Sequence, residues 1–176
     1  MPLWLIPNYL FLFSMPVLLM IRYLVRPDVS SRAWWVTYLL LALFVGAMEL
    51  PGIHASSWRY YADPGLLNFQ TYPLWVAFNN AECLLSTAVF IYLLHNTVIG
   101  KSRAALFFIL TPIIVCASHI APSIPIATAA HSGADPALLN LAAAMTVGLD
   151  FFLVWLGLVL IRYRVGSNPE PVMHPV

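Results

Sequence analysis

Residues 136–163 read PALLNLAAAMTVGLDFFLVWLGLVLIRY, and between Pro136 and Arg162 the only charged side chain is Asp150. A bilayer core about 30 Å thick takes about 20 apolar helical residues to cross. This stretch exceeds that length, and its Leu, Ala, Val and Phe content leaves it no polar face for water. It predicts a membrane-spanning helix with a carboxylate inside it. The small residues Ala142, Ala143, Ala144 and Gly148 predict close packing against a neighbouring helix.

The rest of the chain repeats the pattern. Of the 176 residues, 61% are hydrophobic and 9% charged, against roughly 25% charged in a soluble domain. Apolar segments at 3–24, 34–53, 72–98, 104–129 and 136–163 predict an all-α integral membrane bundle of about five transmembrane helices, one domain over 1–165. The connectors carry the breakers Pro27-Asp28, Asp63-Pro64-Gly65, Gly100-Lys101-Ser102 and Ser132-Gly133-Ala134-Asp135-Pro136. Residues 166–176, with SNPEPVMHPV at their end, read as a disordered tail. The apolar N-terminus lacks a basic region before it and is too long for a signal-peptide core, so it reads as a retained first helix.

A formal net charge of +1 without a basic run gives no basis for nucleic-acid binding. Cys83 and Cys116 lie within apolar runs and read as packed side chains rather than a disulfide or half of a metal site. Arg22, Arg26, Arg32, Lys101, Arg103, Arg162 and Arg164 fall on one side of a five-span arrangement, and Arg59 on the other. The positive-inside rule makes the richer side cytoplasmic, with the N-terminus out and the C-terminus in. The expected location is the cytoplasmic membrane of a bacterium. Trp4, Trp34, Trp35, Tyr60, Tyr61, Tyr72, Trp75 and Tyr163 fall near predicted interfaces and read mainly as an aromatic belt.

Ionisable groups inside the spans need a reason, because an unpaired charge at mid-bilayer costs several kcal/mol. Glu49, Glu82 and Asp150 lie within predicted helices, with His54, Asn79, Asn80, His119 and Asn140 at or near the same spans. A rise of about 1.5 Å per residue puts Glu49 about 22 Å from Trp34, Glu82 about 15 Å from Tyr72, Asp150 about 18 Å from Arg162 and His119 about 24 Å from Arg103. All four then lie between the midplane and the outer leaflet, which predicts one shared cavity. Trp75, Asn79, Glu82 and Ser86 follow helical spacing and form one stripe; Asn80, Cys83 and Thr87 form the next. Asn79 can orient Glu82, and burial favours the neutral, proton-donating form of that acid. Pro51-Gly52 after Glu49, and Pro122 with Pro125 after His119, predict interrupted helices at similar depth.

Several plainer readings compete. Intramembrane Asn and Thr often bridge helices, and this is the favoured reading for Asn80 and Asn140. Glu49 with His54 could be a structural pair, and His119 a packed side chain. Interrupted helices also occur at transporter midplanes, although five spans without internal symmetry are few for one. No HxxxH or HExxH spacing occurs, so no metal is expected.

The stretch MELPGIHASSWRYYADPGLLNFQTYPLWVAFNNAE, residues 48–82, resembles the AveC-like spirocyclase family of membrane proteins. The likeness rests on Glu-x-Pro at a helix end, a Trp/Tyr-Tyr loop, Pro-Leu-Trp and the Asn pair. The chain shares with membrane-bound terpene cyclases, more distantly, only the logic of intramembrane acids. The resemblance implies a cofactor-free cyclisation in which an acid protonates a departing oxygen and a base takes a hydroxyl proton, roles it gives to Glu82 and Glu49. Asp150 joins them as a catalytic candidate on depth. His54, Trp58, Tyr60, Tyr61, Trp75, Asn79, Asn80 and His119 are candidates for binding substrate, the aromatic faces shielding a cation. The expected function is therefore a membrane-embedded cyclase or isomerase for a lipophilic polyketide- or terpenoid-like molecule. The alternatives are a lipid-binding or helix-partnering membrane protein, and a small proton-coupled carrier. The expected partners are the bilayer and a lipophilic small molecule, with no nucleic acid.

Overall fold

The computed structural model describes residues 5–24, 29–55, 68–69, 72–94 and 106–167, with side chains over 14–24, 29–55, 72–94 and 109–163. These residues form α1 (Leu5–Leu24), α2 (Ser31–His54), β1 (Asn68–Phe69), β2 (Tyr72–Pro73), α3 (Leu74–Leu94), α4 (Leu106–His131) and α5 (Pro136–Ser167). The chain is an all-α integral membrane protein: α2, α3, α4 and α5 each contain a stretch long and apolar enough to cross a bilayer. Over its described side chains, α1 contributes a shorter apolar helix from Ser14 to Leu24.

Local chemistry fixes the helix ends. Ser30 caps α2, its hydroxyl accepting from the Ala33 amide at 3.1 Å. Gly133, at φ 67°, closes α4 while the Ala134 amide reaches back to the Ala129 carbonyl at 3.1 Å. Asp135 then accepts from the Leu138 amide at 2.9 Å, and Pro136 supplies the first residue of α5, where its missing N–H costs nothing. The turn between α4 and α5 is thus written in five consecutive residues, Ser132 to Pro136.

α3 is the axis of the bundle. It packs against α1, α2, α4 and α5, and α4 also packs against α5, whereas the backbones of α2 and α5 stand further apart and are bridged by side chains. Every residue from Asn79 to Val89 is buried. A helix buried on all faces needs no amphipathic stripe, and here its interior-facing polar groups include Asn79, Asn80, Glu82, Ser86 and Thr87. α4 is the opposite case, with Ile109, Ile113, Ile120 and Ile124 exposed along its outer face.

Four sequence expectations change here. Trp34 is not a belt residue: it is fully buried, and its Nε1 donates to the Val154 carbonyl of α5 at 2.9 Å. Gly157 lies beneath it, with a Cβ there only 3.4 Å from the indole. Tyr72 is also buried, because the β1–β2 ribbon (Asn68 opposite Pro73, Phe69 opposite Tyr72) carries it onto α2. The expected helix interruptions are absent, since α2 runs through Pro51 and α4 through Pro112, Pro122 and Pro125. Each proline removes one donor and leaves the flanking turns intact, while the Ser118 and Ser123 hydroxyls bond back to carbonyls a turn earlier. Finally, residues 166 and 167, expected in the tail, belong to α5; the remainder of that tail lies outside the described residues.

Candidate functional site

Two adjacent asparagines on α3 divide the intramembrane polar groups. Successive helical residues point about 100° apart. Asn79 therefore faces α5, donating from Nδ2 to Asp150 Oδ1 at 3.1 Å, and Asn80 faces α2, donating from Nδ2 to Glu49 Oε1 at 3.1 Å.

On the α2 side, Glu49 receives a second donor, the Tyr72 hydroxyl, on Oε2 at 3.0 Å. Both carboxyl oxygens are thus held, and the group ties β2 and α3 to the end of α2. The stripe Trp34, Tyr38, Ala42, Val45, Glu49, Ile53 buries one face of α2, at spacings of three and four residues.

The α3–α5 side is different. Glu82 accepts a very short hydrogen bond from the Ser86 hydroxyl on Oε1. Among the described residues its Oε2 has no hydrogen-bond partner, and neither do Asp150 Oδ2, Asn79 Oδ1 or the hydroxyls of Thr146 and Thr87. Glu82, Asp150, Asn79 and Thr146 are all fully buried. Glu82 and Asp150 lie within electrostatic reach of each other, and Tyr38 within reach of both. No Lys or Arg pairs with either acid among the described residues. Buried polar atoms are nearly always bonded, so these unpartnered oxygens stand out, those of Asn79, Glu82, Thr146 and Asp150 along the facing sides of α3 and α5. Among the described residues, no three His, Cys, Asp or Glu side chains gather where a metal ion could be held.

An aromatic cluster adjoins the acids. Tyr38 donates from its hydroxyl to the Phe78 carbonyl at 3.3 Å. The ring of Phe151 stands edge-on to Tyr38 (centroids 5.3 Å apart, 88°) and stacked on Trp35 (5.7 Å, 22°). Phe78 completes the group, 5.9 Å from Phe151.

The single shared cavity expected from depth is therefore replaced by two polar sites on different faces of α3. Asn79, Glu82 and Asp150 come together; Glu49 and Asn80 form the second site with Tyr72. His54 is exposed at the end of α2. His119 is half-buried on α4, and its ring makes no hydrogen bond among the described residues. Its neighbour Ser118 does meet α3, its hydroxyl oxygen lying 3.4 Å from Cys83 Sγ. Trp75 packs among Ile126, Ala129, Ala142 and Ala143 and wedges α3 against α4 and α5. Trp58, Tyr60 and Tyr61 lie outside the described residues.

Sequence reasoning passed over Tyr38, Phe78 and Phe151, and read Trp35 and Tyr72 as belt residues. The spacing Trp34–Tyr38–Ala42–Val45–Glu49 was the available signal for Tyr38, since it leads along one helix face to a buried acid. No family model, curated protein or solved structure matches the chain.

Proposed function

We propose that the α3–α5 seam is the acid–base centre of a membrane-embedded, cofactor-independent cyclase or isomerase for a lipid-soluble polyketide- or terpenoid-like substrate. One observation carries this reading: Glu82 and Asp150 share a buried seam, each with one oxygen held and one presented without a partner among the described residues. Two carboxyls without a cation in such a place carry at least one proton between them, because ionising both would leave uncompensated charge in hydrocarbon. That arrangement supplies a donor and an acceptor side by side. In a cyclisation, Glu82 delivers its proton to a departing substrate oxygen, and Asp150 takes the proton of the attacking hydroxyl. Asn79 fixes the orientation of Asp150, and Ser86 that of Glu82. Tyr38, Phe78, Phe151 and Trp35 place aromatic rings beside the acids, whose faces can stabilise an electron-deficient intermediate.

Glu49 takes a different part in this reading from the one its resemblance implied. With both oxygens accepting hydrogen bonds from Asn80 and Tyr72, it positions the entrance to α3 rather than transferring protons. The resemblance of residues 48–82 to the spirocyclase family supports the reaction class. The basic residues flanking the spans support an orientation with the N-terminus outside.

The test is turnover of hydroxyketone and polyprenyl substrates by the protein reconstituted in vesicles, with Glu82→Gln and Asp150→Asn beside the unaltered chain. Cyclised product that disappears in both variants supports the proposal. Binding without turnover in every chain would make the seam a lipid-binding site, and solute uptake driven by a proton gradient would make it a carrier.

A further inference from the structure

The acids in the seam are fully buried, yet one layer of side chains separates them from the outside of the bundle. That layer lies where the backbones of α2 and α5 stand apart and the two helices meet through aromatic rings. It consists of the Trp35–Phe151 stack, with Tyr38 standing edge-on to both rings. Phe151 is 36% exposed, whereas Asp150 beside it in sequence is 0% exposed and Tyr38 is 0% exposed. A path between α2 and α5 from surrounding hydrocarbon toward Asp150 therefore meets this ring cluster, in which the partly exposed Phe151 is held by ring packing rather than by hydrogen bonds. The other sides of the seam are closed by helix: α3 lies behind the acids and α4 packs on both α3 and α5.

We infer that the gap between α2 and α5 is a lateral entrance from the bilayer, that Phe151 is its gate, and that its occupant is a lipophilic alcohol. The occupant follows from what waits inside. Asn79 Oδ1, Glu82 Oε2, Asp150 Oδ2 and the Thr146 hydroxyl lack partners, and each can accept from a hydroxyl donor. The rings at the entrance suit an apolar, unsaturated body lying behind that hydroxyl. The identity of the occupant as substrate rests on the acid–base reading; the route does not.

Carboxyl labelling tests the route without needing turnover. Dicyclohexylcarbodiimide dissolves in hydrocarbon and adds to a carboxylic acid. The acid oxygen bonds to the central carbodiimide carbon, the acid proton moves to a carbodiimide nitrogen, and the adduct rearranges to a stable N-acylurea with nothing lost. The protein in phosphatidylcholine vesicles should acquire this mass on Asp150 or Glu82. A cationic, water-soluble carbodiimide should leave both acids unlabelled. Phe151→Ala should speed labelling severalfold, and Phe151→Trp should slow it severalfold, with both variants checked for folding by circular dichroism. Oleyl alcohol in the vesicles should protect, and methyl oleate, which lacks the hydroxyl donor, should not. Labelling that is absent, equal with both reagents or indifferent to residue 151 would overturn the entrance, and equal protection by alcohol and ester would overturn the occupant. Labelling that follows residue 151 in a protein without turnover retains the entrance while removing the enzyme reading.

Discussion

Asn79 and Asp150, 71 positions apart in the chain, are joined by a buried hydrogen bond of 3.1 Å that locks the central helix to the last one. The asparagine beside it bonds instead to Glu49 on α2. One residue step on α3 thus separates a site that is fully bonded on its acid from a site that keeps unpartnered oxygens.

That separation has an energetic signature. Asn79→Ala withdraws the donor from a buried acid and should cost about 1–3 kcal/mol, measured by denaturant titration of the protein in detergent micelles. A double-mutant cycle of Asn79→Ala with Asp150→Ala should show a coupling of about 0.5–3 kcal/mol, whereas Asn79→Ala with Glu49→Ala should be additive to within about 0.5 kcal/mol. Coupling of similar size in both cycles would mean that the two sites act as one.

The same division sorts the acids by role. Glu82→Gln keeps size and hydrogen bonding but has no proton to transfer, so turnover should fall by about 10²-fold or more with folding retained. Glu49→Gln should keep most turnover, since a neutral side chain of that shape still accepts a hydrogen bond. Steady-state rates on one reconstituted substrate decide between them; a greater loss in Glu49→Gln would return the catalytic role to α2.

Packing at the other end of the seam is close. A Cβ on Gly157 would sit 3.4 Å from Trp34 and 3.5 Å from Val89. Gly157→Leu should therefore force α5 away from α2 and α3 and cost about 1–3 kcal/mol. Trp34→Phe, which deletes only the donor to the Val154 carbonyl, should cost about 1 kcal/mol. Thermal unfolding in detergent reads both, and the leucine variant should be the less stable.

Orientation follows from the lysines and arginines. Reporter fusions after Val98 should read cytoplasmic and fusions after Ala130 external. The reverse pattern would overturn the N-terminus-out arrangement.

The helices were legible because membrane insertion is decided by stretches of about 20 residues, and no distant contact can supply or remove that much apolar surface. The stripe Asn79, Glu82, Ser86 was legible for the same reason that any helix face is: spacing alone sets it, and Ser86 does bond to Glu82. Which helix each face would meet was not legible. Depth placed Glu49 and Asp150 together, but α3 stands between their partners, and a depth coordinate carries no angle around the bundle axis. Trp34 and Tyr72 were misread because a residue near the end of a span has the same sequence surroundings whether its ring points to lipid or inward. The aromatic cluster was hidden for a related reason, since Trp35, Phe78 and Phe151 come from separate helices and acquire meaning only as neighbours.

The placement of α3 has a consequence for biogenesis. It is the least apolar of the four helices long enough to span a membrane, and also the most thoroughly enclosed. As it leaves the ribosome, after α2 and before α4 and α5, it carries two asparagines and a glutamate into the membrane. Asn80 has its partner Glu49 on the helix made just before it, but Asn79 has to wait for Asp150 on α5. Full burial of this helix should therefore wait until α5 has been made.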